Sequence, residues 1–445
     1  MINFRLWQQP PTWLERASGV GFVLFAASSA FLTYFSMYAF RKPFSVNSYE
    51  TYNNSEWLIS FKVALILAQV LGYLCAKFIG VKVIAEMRPS MRASVIVGMI
   101  LSAELALVLF ALTPVGVNVV WLFVNGLSLG MIWGVVFSYL EGRKNTEILG
   151  AVLSVTFILA SGLVRTVGQW LVVTLNVPEL WMPAATGAVF LPLLLFSVMC
   201  LNSIPKPTQE DEQARQKRAP MSGQARWQFF KQYWFGILAL VLSFLLFTGF
   251  RDFRDNFSAE IWQALGYGHE PSIFAYAGIR IAFLVLLAMA ALVLIKNNRT
   301  AFFANHYFIL FGVLLLAGST YSYEMQLLSS KAWMVLLGAG LYISYIPYNC
   351  FLFDRLISAV GSTANAGFLI YLADSAGYIG SVGILLYKTF ATPELSWLQF
   401  FISACYWVAA IAGVLVVSAL IYFKARLLNK HTQQVSSSRI AIASN

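Results

Sequence analysis

Apolar residues fall into twelve long stretches along this chain, at about 17–44, 57–79, 93–113, 117–140, 149–176, 181–203, 233–251, 272–295, 303–322, 332–353, 364–388 and 397–423. A helix of roughly 20 residues spans the ~30 Å hydrocarbon core of a bilayer. The stretches are too long and too continuously apolar for barrel strands, which alternate, so each is predicted to be a transmembrane helix. The hydrophilic segment 205–231 separates six stretches from six. The expected organisation is an N-terminal bundle over 1–204, a linker over 205–231, a C-terminal bundle over 232–428, and a polar tail over 429–445 that is expected to be disordered. The first apolar run is too long for a signal-peptide core and is expected to stay in the mature protein.

Composition agrees. Hydrophobic residues make up 59% of the 445 and charged residues only 11%, well below the roughly 25% of a soluble protein. The lysines and arginines are unevenly shared between the two sides. With a cytoplasmic N-terminus, the inside segments hold 21 of the 30 basic residues; outside lie Arg41, Lys42, Arg251, Arg254, Lys331 and Lys388. That asymmetry predicts both termini in the cytoplasm, with a bacterial inner membrane as the expected location. It also accounts for the net charge of +11 through contact with anionic lipid, and no nucleic-acid partner is expected. Cys75, Cys200, Cys350 and Cys405 lie in or beside spans, with no metal spacing, and read as packing residues. The three histidines are isolated, and neither a phosphate-binding loop nor a nucleophile–base cluster appears. No enzyme activity, cofactor or metal is therefore expected.

The two halves echo one another. Phe40-Arg41 in "FSMYAFRKPFSV" and Phe250-Arg251 in "LLFTGFRDFRDNF" each close the first span of a half. Glu141 and Asp354, at the ends of the fourth and tenth spans, match at a similar offset. Parallel repeats related by an axis along the membrane normal are a transporter plan. In the fourth span, "NGLSLGMIWG" places Gly126, Gly130 and Gly134 at four-residue steps on one helix face, where another backbone can approach closely.

A charge in hydrocarbon costs roughly 2.5–3.5 kcal/mol on insertion scales, so those inside spans require partners or water. Lys62, Glu104, Arg165, Arg280 and Asp374 are such residues. Arg165 lies about 16 residues into its span and Arg280 about eight into an oppositely directed one, which puts both in the outer half of the bilayer. Arg41 and Arg251 lie near outer span ends, where a snorkelling arginine and a ligand-binding one are both open readings. A long first helix running past Arg41, begun by an interfacial segment at residues 4–16, would favour the second. Guanidinium suits a phosphate or carboxylate because its planar fork bonds two oxygens. Lys42 and Arg254 read as solvated neighbours, and Glu104 as a locally hydrogen-bonded carboxyl or a proton carrier.

The six-plus-six layout resembles the major facilitator superfamily. Within it, "YAFRKPF" and "LFVNGLSLGMIWG", with Asn125, Gly126, Gly130 and Trp133, resemble the organophosphate–phosphate antiporters; the chain also resembles an uncharacterised bacterial group of the superfamily. The resemblance implies two six-helix halves about a pseudo-twofold axis. It implies that Arg41 and Arg251 hold an anionic solute. It also implies that Arg165 and Arg280 converge where the fifth and eighth helices pack, and that Lys62 pairs with Asp374 between the second and eleventh. Tyr34, Tyr38, Trp133, Tyr345 and Tyr348 fall on cavity-lining helices of that fold. In "GYLCAKFIGVK", Ala76 stands where the superfamily's gating aspartate is usual. The expected function is transport of a small phosphorylated or carboxylated solute by a monomer working through alternating access. The alternatives are a proton-coupled carrier of a neutral sugar or nutrient, with Asp374 or Glu104 taking the proton, and a transporter-shaped receptor that moves nothing.

Overall fold

The computed structural model describes residues 19–54, 57–140, 143, 146–205, 211, 223–361 and 366–443. It is all-helical. The N-terminal half contains α1 (Val20–Met37), α2 (Phe61–Glu86), α3 (Arg92–Leu112), α4 (Val119–Leu129), α5 (Ile132–Phe137), α6 (Thr146–Val173) and α7 (Met182–Asn202). The C-terminal half contains α8 (Gly223–Asn256), α9 (Ser258–Ala264), α10 (Ile273–Val293), α11 (Asn298–Glu324), α12 (Ser330–Cys350), α13 (Leu352–Val360), α14 (Ala366–Leu386) and α15 (Trp397–Ala443). Among the described residues, eleven helices are long and apolar enough to cross a membrane, and α12 with α13, bent by 50°, makes a twelfth span. Pro347 lies in the last turn of α12, where its ring and missing N–H weaken the ladder, and Phe351 leaves helical geometry. The 4–16 segment, Glu141 and most of the 205–231 linker lie outside the described residues.

The repeat is visible in which helices touch. In the first half α1 packs on α6 and α7, α3 on α4 and α7, and α2 on α4. In the second, α8 packs on α14 and α15, α11 on α12 and α15, and α10 on α12. Counting spans from one to six in each half, these are the same pairs. Between the halves, α6 packs on α10 and α2 on α14, contacts that a twofold rotation exchanges. The connections near 41–60, 174–181 and 257–272 gather on one side, termed the loop face; the linker and the ends of α7 and α15 mark the opposite, terminal face.

Several elements differ from the sequence expectation, for physical reasons. The first span does not run on as an α-helix past Arg41. It stops at Met37 and gives way to two 3₁₀ turns, Tyr38–Phe40 and Pro43–Val46. Pro43 cannot donate to the ladder, which removes a hydrogen bond the next turn would need, although Lys42 before it keeps right-handed helical dihedrals. The fourth span loosens its hydrogen-bond ladder at Gly130–Met131, but both residues keep right-handed helical dihedrals and Val119–Phe137 runs on as one span, with Gly126 and Gly130 both toward α2. Gly126 and Gly130 still admit α2: a Cβ at Gly126 would collide with the Gln69 carbonyl, and one at Gly130 would stand 2.5 Å from the Ala76 Cβ. Gly134 is half-buried in short α5. The seventh span begins earlier than expected, at Gly223, with a kink at Tyr233. The twelfth continues as helix through the segment expected to be a disordered tail.

Candidate functional site

Breaking a helix inside a membrane protein frees backbone carbonyls that need donors. Here two buried amides supply them. Asn125 of α4 donates through Nδ2 to the Phe40 carbonyl (3.0 Å) and the Ala103 carbonyl (3.2 Å). Gln69 of α2 donates through Nε2 to the Arg41 carbonyl (3.0 Å) and to Asn125 Oδ1 (2.9 Å). The bend they satisfy turns Arg41 onto the ring of Tyr73, its Cζ 4.1 Å from the centroid, with Tyr38 at 5.8 Å. Arg41 Nε is buried with no hydrogen-bond partner.

Arg251 occupies the corresponding place on α8. Its Cζ lies 4.3 Å from the centroid of Tyr345, which stacks on Phe244 at 5.1 Å. Both arginines thus lie over a tyrosine ring, a cation–π arrangement. Tyr34 meets Tyr38 edge-on at 5.6 Å, and Tyr73 faces Tyr378 across the halves at 6.1 Å.

Around this pair is a buried charged cluster at the boundary of the halves. Arg251 contacts Asp252 at 2.7 Å, and Asp252 also accepts from Ser381 Oγ at 2.6 Å. Arg165 of α6 reaches Asp255 at 3.8 Å, donates to the Asp255 carbonyl at 2.6 Å, and contacts Ser258 Oγ. Arg254 lies 3.5 Å from Asp255 and bonds the Met334 carbonyl at 3.3 Å. Lys42 donates to Asn256 Oδ1 at 3.1 Å. Five cations (Arg41, Lys42, Arg165, Arg251, Arg254) thus face two carboxylates, Asp252 and Asp255. Among the described residues no carboxylate lies at ion-pair distance from Arg41 or Lys42.

Other expected residues fall elsewhere. Arg280 does not meet Arg165: it is exposed on α10, lies 3.6 Å over its neighbour Tyr276, and donates to that residue's carbonyl. Its position on the helix turns it from the boundary that Arg165 faces. Lys62 does not pair with Asp374. It pairs with Glu260 of α9 and donates to the Ser45 carbonyl at 2.9 Å, because it stands at the loop-face end of α2. Asp374 pairs with Lys77 instead, at 3.1 Å, deeper along the same two helices. Ala76 is fully buried against Gly130, so the charge beside the usual gating position is carried by Lys77. Lys42 and Arg254, expected to be solvated, are buried. Glu104 is not locally bonded through Oε2, which is buried without a partner near Gly187 and Phe40. Trp133 stacks on Phe137 at 4.9 Å with Lys77 above its ring, and Tyr348 bonds Ser243 at 2.6 Å.

With this geometry established, comparison with known proteins adds two findings. A family described as "Family of unknown function (DUF5690)" matches residues 43–426, most of the chain. The chain belongs to this family. For this DUF5690 member, a D-xylose–proton symporter aligns over 91% of the chain and 97% of its own, at 13% identity and a TM-score of 0.59. The nucleoside transporter NupG, in a mutant form, aligns over 90% and 99%, at 12% identity and 0.58. The DUF5690 chain therefore has a major facilitator-like fold in a multi-pass membrane protein. Comparison with curated proteins gives no match.

Sequence reading missed Asp252 and Asp255 although "FRDFRDN" prints them beside the arginines. Arginine and aspartate at steps of one and four is the available signal: such a helix turn can neutralise itself. Gln69, Tyr73, Tyr378 and Glu260 had no local signal, since their roles depend on partners distant in sequence; Lys77 fits the basic position of the superfamily's loop motif, but its partner Asp374 could not be read from it.

Proposed function

We propose that this protein is a secondary transporter of a small organic anion, phosphorylated or carboxylated, working by alternating access as a monomer in a bacterial inner membrane with both termini cytoplasmic. The observation that carries the reading is the buried excess of three basic side chains over carboxylates at the boundary of two repeated halves. Uncompensated charge at membrane depth is costly, and an anionic solute there would supply the missing partner. Arg41 is the first candidate to bind it, having an unpaired buried Nε and no carboxylate. Arg251 and Arg165 each have a carboxylate neighbour, so they act by lending charge to the cluster.

A proton-coupled carrier of a neutral sugar or nucleoside is the second reading. It is favoured by those same carboxylates, by the unpartnered Glu104, and by neighbours named as a sugar–proton symporter and a nucleoside transporter. Proteoliposome counterflow separates the two. The anion reading expects exchange of phosphorylated or dicarboxylic solutes, lowered about ten- to hundred-fold in affinity by Arg41→Ala, the value of a charge-assisted hydrogen bond. Exchange confined to neutral sugars or nucleosides, unaffected by Arg41→Ala, would overturn it.

A further inference from the structure

The structure assigns Gln69 and Asn125 as positioning residues that fix the 3₁₀ bend at Tyr38–Arg41 and thereby the direction of Arg41. The inference rests on the anion-site reading for its functional consequence, though not for its structural content. The two amides come from neighbouring helices and are buried, Asn125 fully and Gln69 with 6% exposure. Together they make four hydrogen bonds of 2.9–3.2 Å, and two of these go to the carbonyls of Phe40 and Arg41. No other side-chain donor to either carbonyl occurs among the described residues. Gln69 is held at its depth by close backbone contact: its carbonyl faces Gly126, the residue after Asn125, where even a methyl group would clash. The network therefore ties α2 and α4 to the place where the first span passes from α to 3₁₀ geometry. Neither amide carries charge, and both N–H donors of each are used within the protein, so their effect on a ligand acts through Arg41.

Without these donors the Phe40 and Arg41 carbonyls would be unsatisfied, and the local chain would reduce that cost by rearranging. The test uses the full-length protein in nanodiscs, with Asn125→Leu, Gln69→Leu and Arg41→Lys alone and in pairs. One measurement needs no ligand: amide hydrogen exchange of the peptides covering 38–47. Asn125→Leu and Gln69→Leu should raise exchange there by about ten-fold or more, while other N-terminal peptides stay within a few-fold of wild type. The second is the affinity for inorganic phosphate, glycerol phosphate and succinate. Each leucine variant should lose affinity by about ten-fold, and Arg41→Lys should add little in either background, because the arginine is already misplaced. Exchange that rises equally across the N-terminal half, or that stays at wild type in 38–47, overturns the assignment. So does an unchanged affinity, or an Arg41→Lys effect that adds in full. If wild type binds none of the probes, the anion reading fails while the exchange measurement still decides the positioning role.

Discussion

At the scale of single residues, partner choice decides which charges matter. Asp255 serves two arginines, Arg165 and Arg254, and accepts from Tyr342 at 3.3 Å. Asp255→Asn keeps the shape but leaves two guanidiniums less compensated, and removing one partner of a buried pair costs ~3–5 kcal/mol. Unfolding of the detergent-solubilised protein should show a loss of that order. Arg280→Ala, by contrast, should change stability by less than ~0.5 kcal/mol and leave solute affinity unchanged, since the side chain is exposed and its hydrogen bond and ring contact lie within its own turn. A loss of affinity in that variant would return Arg280 to the site. Glu179 lies in the loop-face connection, where burial outweighs the nearby Lys62 ammonium and Glu50 adds to the upward shift of its carboxyl pKa from the ordinary 4.5. A raised folded value stabilises most below the unfolded one and is lost as pH rises through the folded one. Glu179→Gln should therefore gain in melting temperature relative to wild type at neutral pH, and that gain should vanish below about pH 4.5. Position in sequence made Arg41 and Arg251 legible as a repeated pair. It could not show that Arg280 faces away or that Lys62 meets a residue 198 positions on, because helical phase and tertiary partner are set by packing.

At the scale of elements, two classes of close glycine contact do different work. Gly126 and Gly72 sit within the N-terminal half, between α2 and α4, where an added Cβ would run into the Gln69 and Phe123 carbonyls respectively. Gly162 sits between the halves, on α6, where a Cβ would stand 2.6 Å from the Phe274 carbonyl of α10. Backbone cannot yield as a flexible side chain can, so an added methyl parts the helices, at a cost of ~1–3 kcal/mol for overpacking. Gly126→Ala should lower melting temperature first. Gly162→Ala should reduce counterflow more than stability, because α6 and α10 must pack closely only when the halves meet there; equal effects on both measurements would remove that distinction. The twelve apolar stretches, the six-plus-six division and the small-residue contacts were legible because hydropathy and glycine spacing are local properties. The loosened turn of the fourth span was not: Gly130 and Met131 keep helical dihedrals, and the lapse between Leu129 and Ile132 adjoins the contact of Gly130 with Tyr73 and Ala76. The bend at Tyr38–Arg41 was half legible. Pro43 announces a stop, but the amides that hold the turn are 28 and 85 residues away from the carbonyls they bond.

For the whole molecule, the relevant fact is that polar contacts cross between halves on both sides of the arginine cluster. Toward the loop face stand Lys62–Glu260, Lys42–Asn256 and Gln169 donating to the Gly268 carbonyl at 2.8 Å. Toward the terminal face stand Lys77–Asp374 and Ser154–Cys350, at 3.1 and 3.2 Å. Lys62 is almost fully buried, with 3% side-chain exposure, whereas Lys77 and Asp374 keep 18% and 24%. Desolvated charge pairs resist separation when one partner must leave the other, and wetter pairs are worth less. If the halves rock, the loop-face contact should be the harder one to open, and the terminal-face pair should exchange partners readily. A protein carrying Lys62→Cys and Glu260→Cys, with the two thiols joined by a short bifunctional maleimide, should lose counterflow completely while retaining its helix content. Asp374→Asn should alter the rate of exchange by only a few-fold under the anion reading and abolish active uptake if Asp374 carries a coupled proton. Counterflow that continues at the wild-type rate across a quantitatively joined 62–260 pair would show that this seam never opens, and alternating access between these two halves would have to be given up.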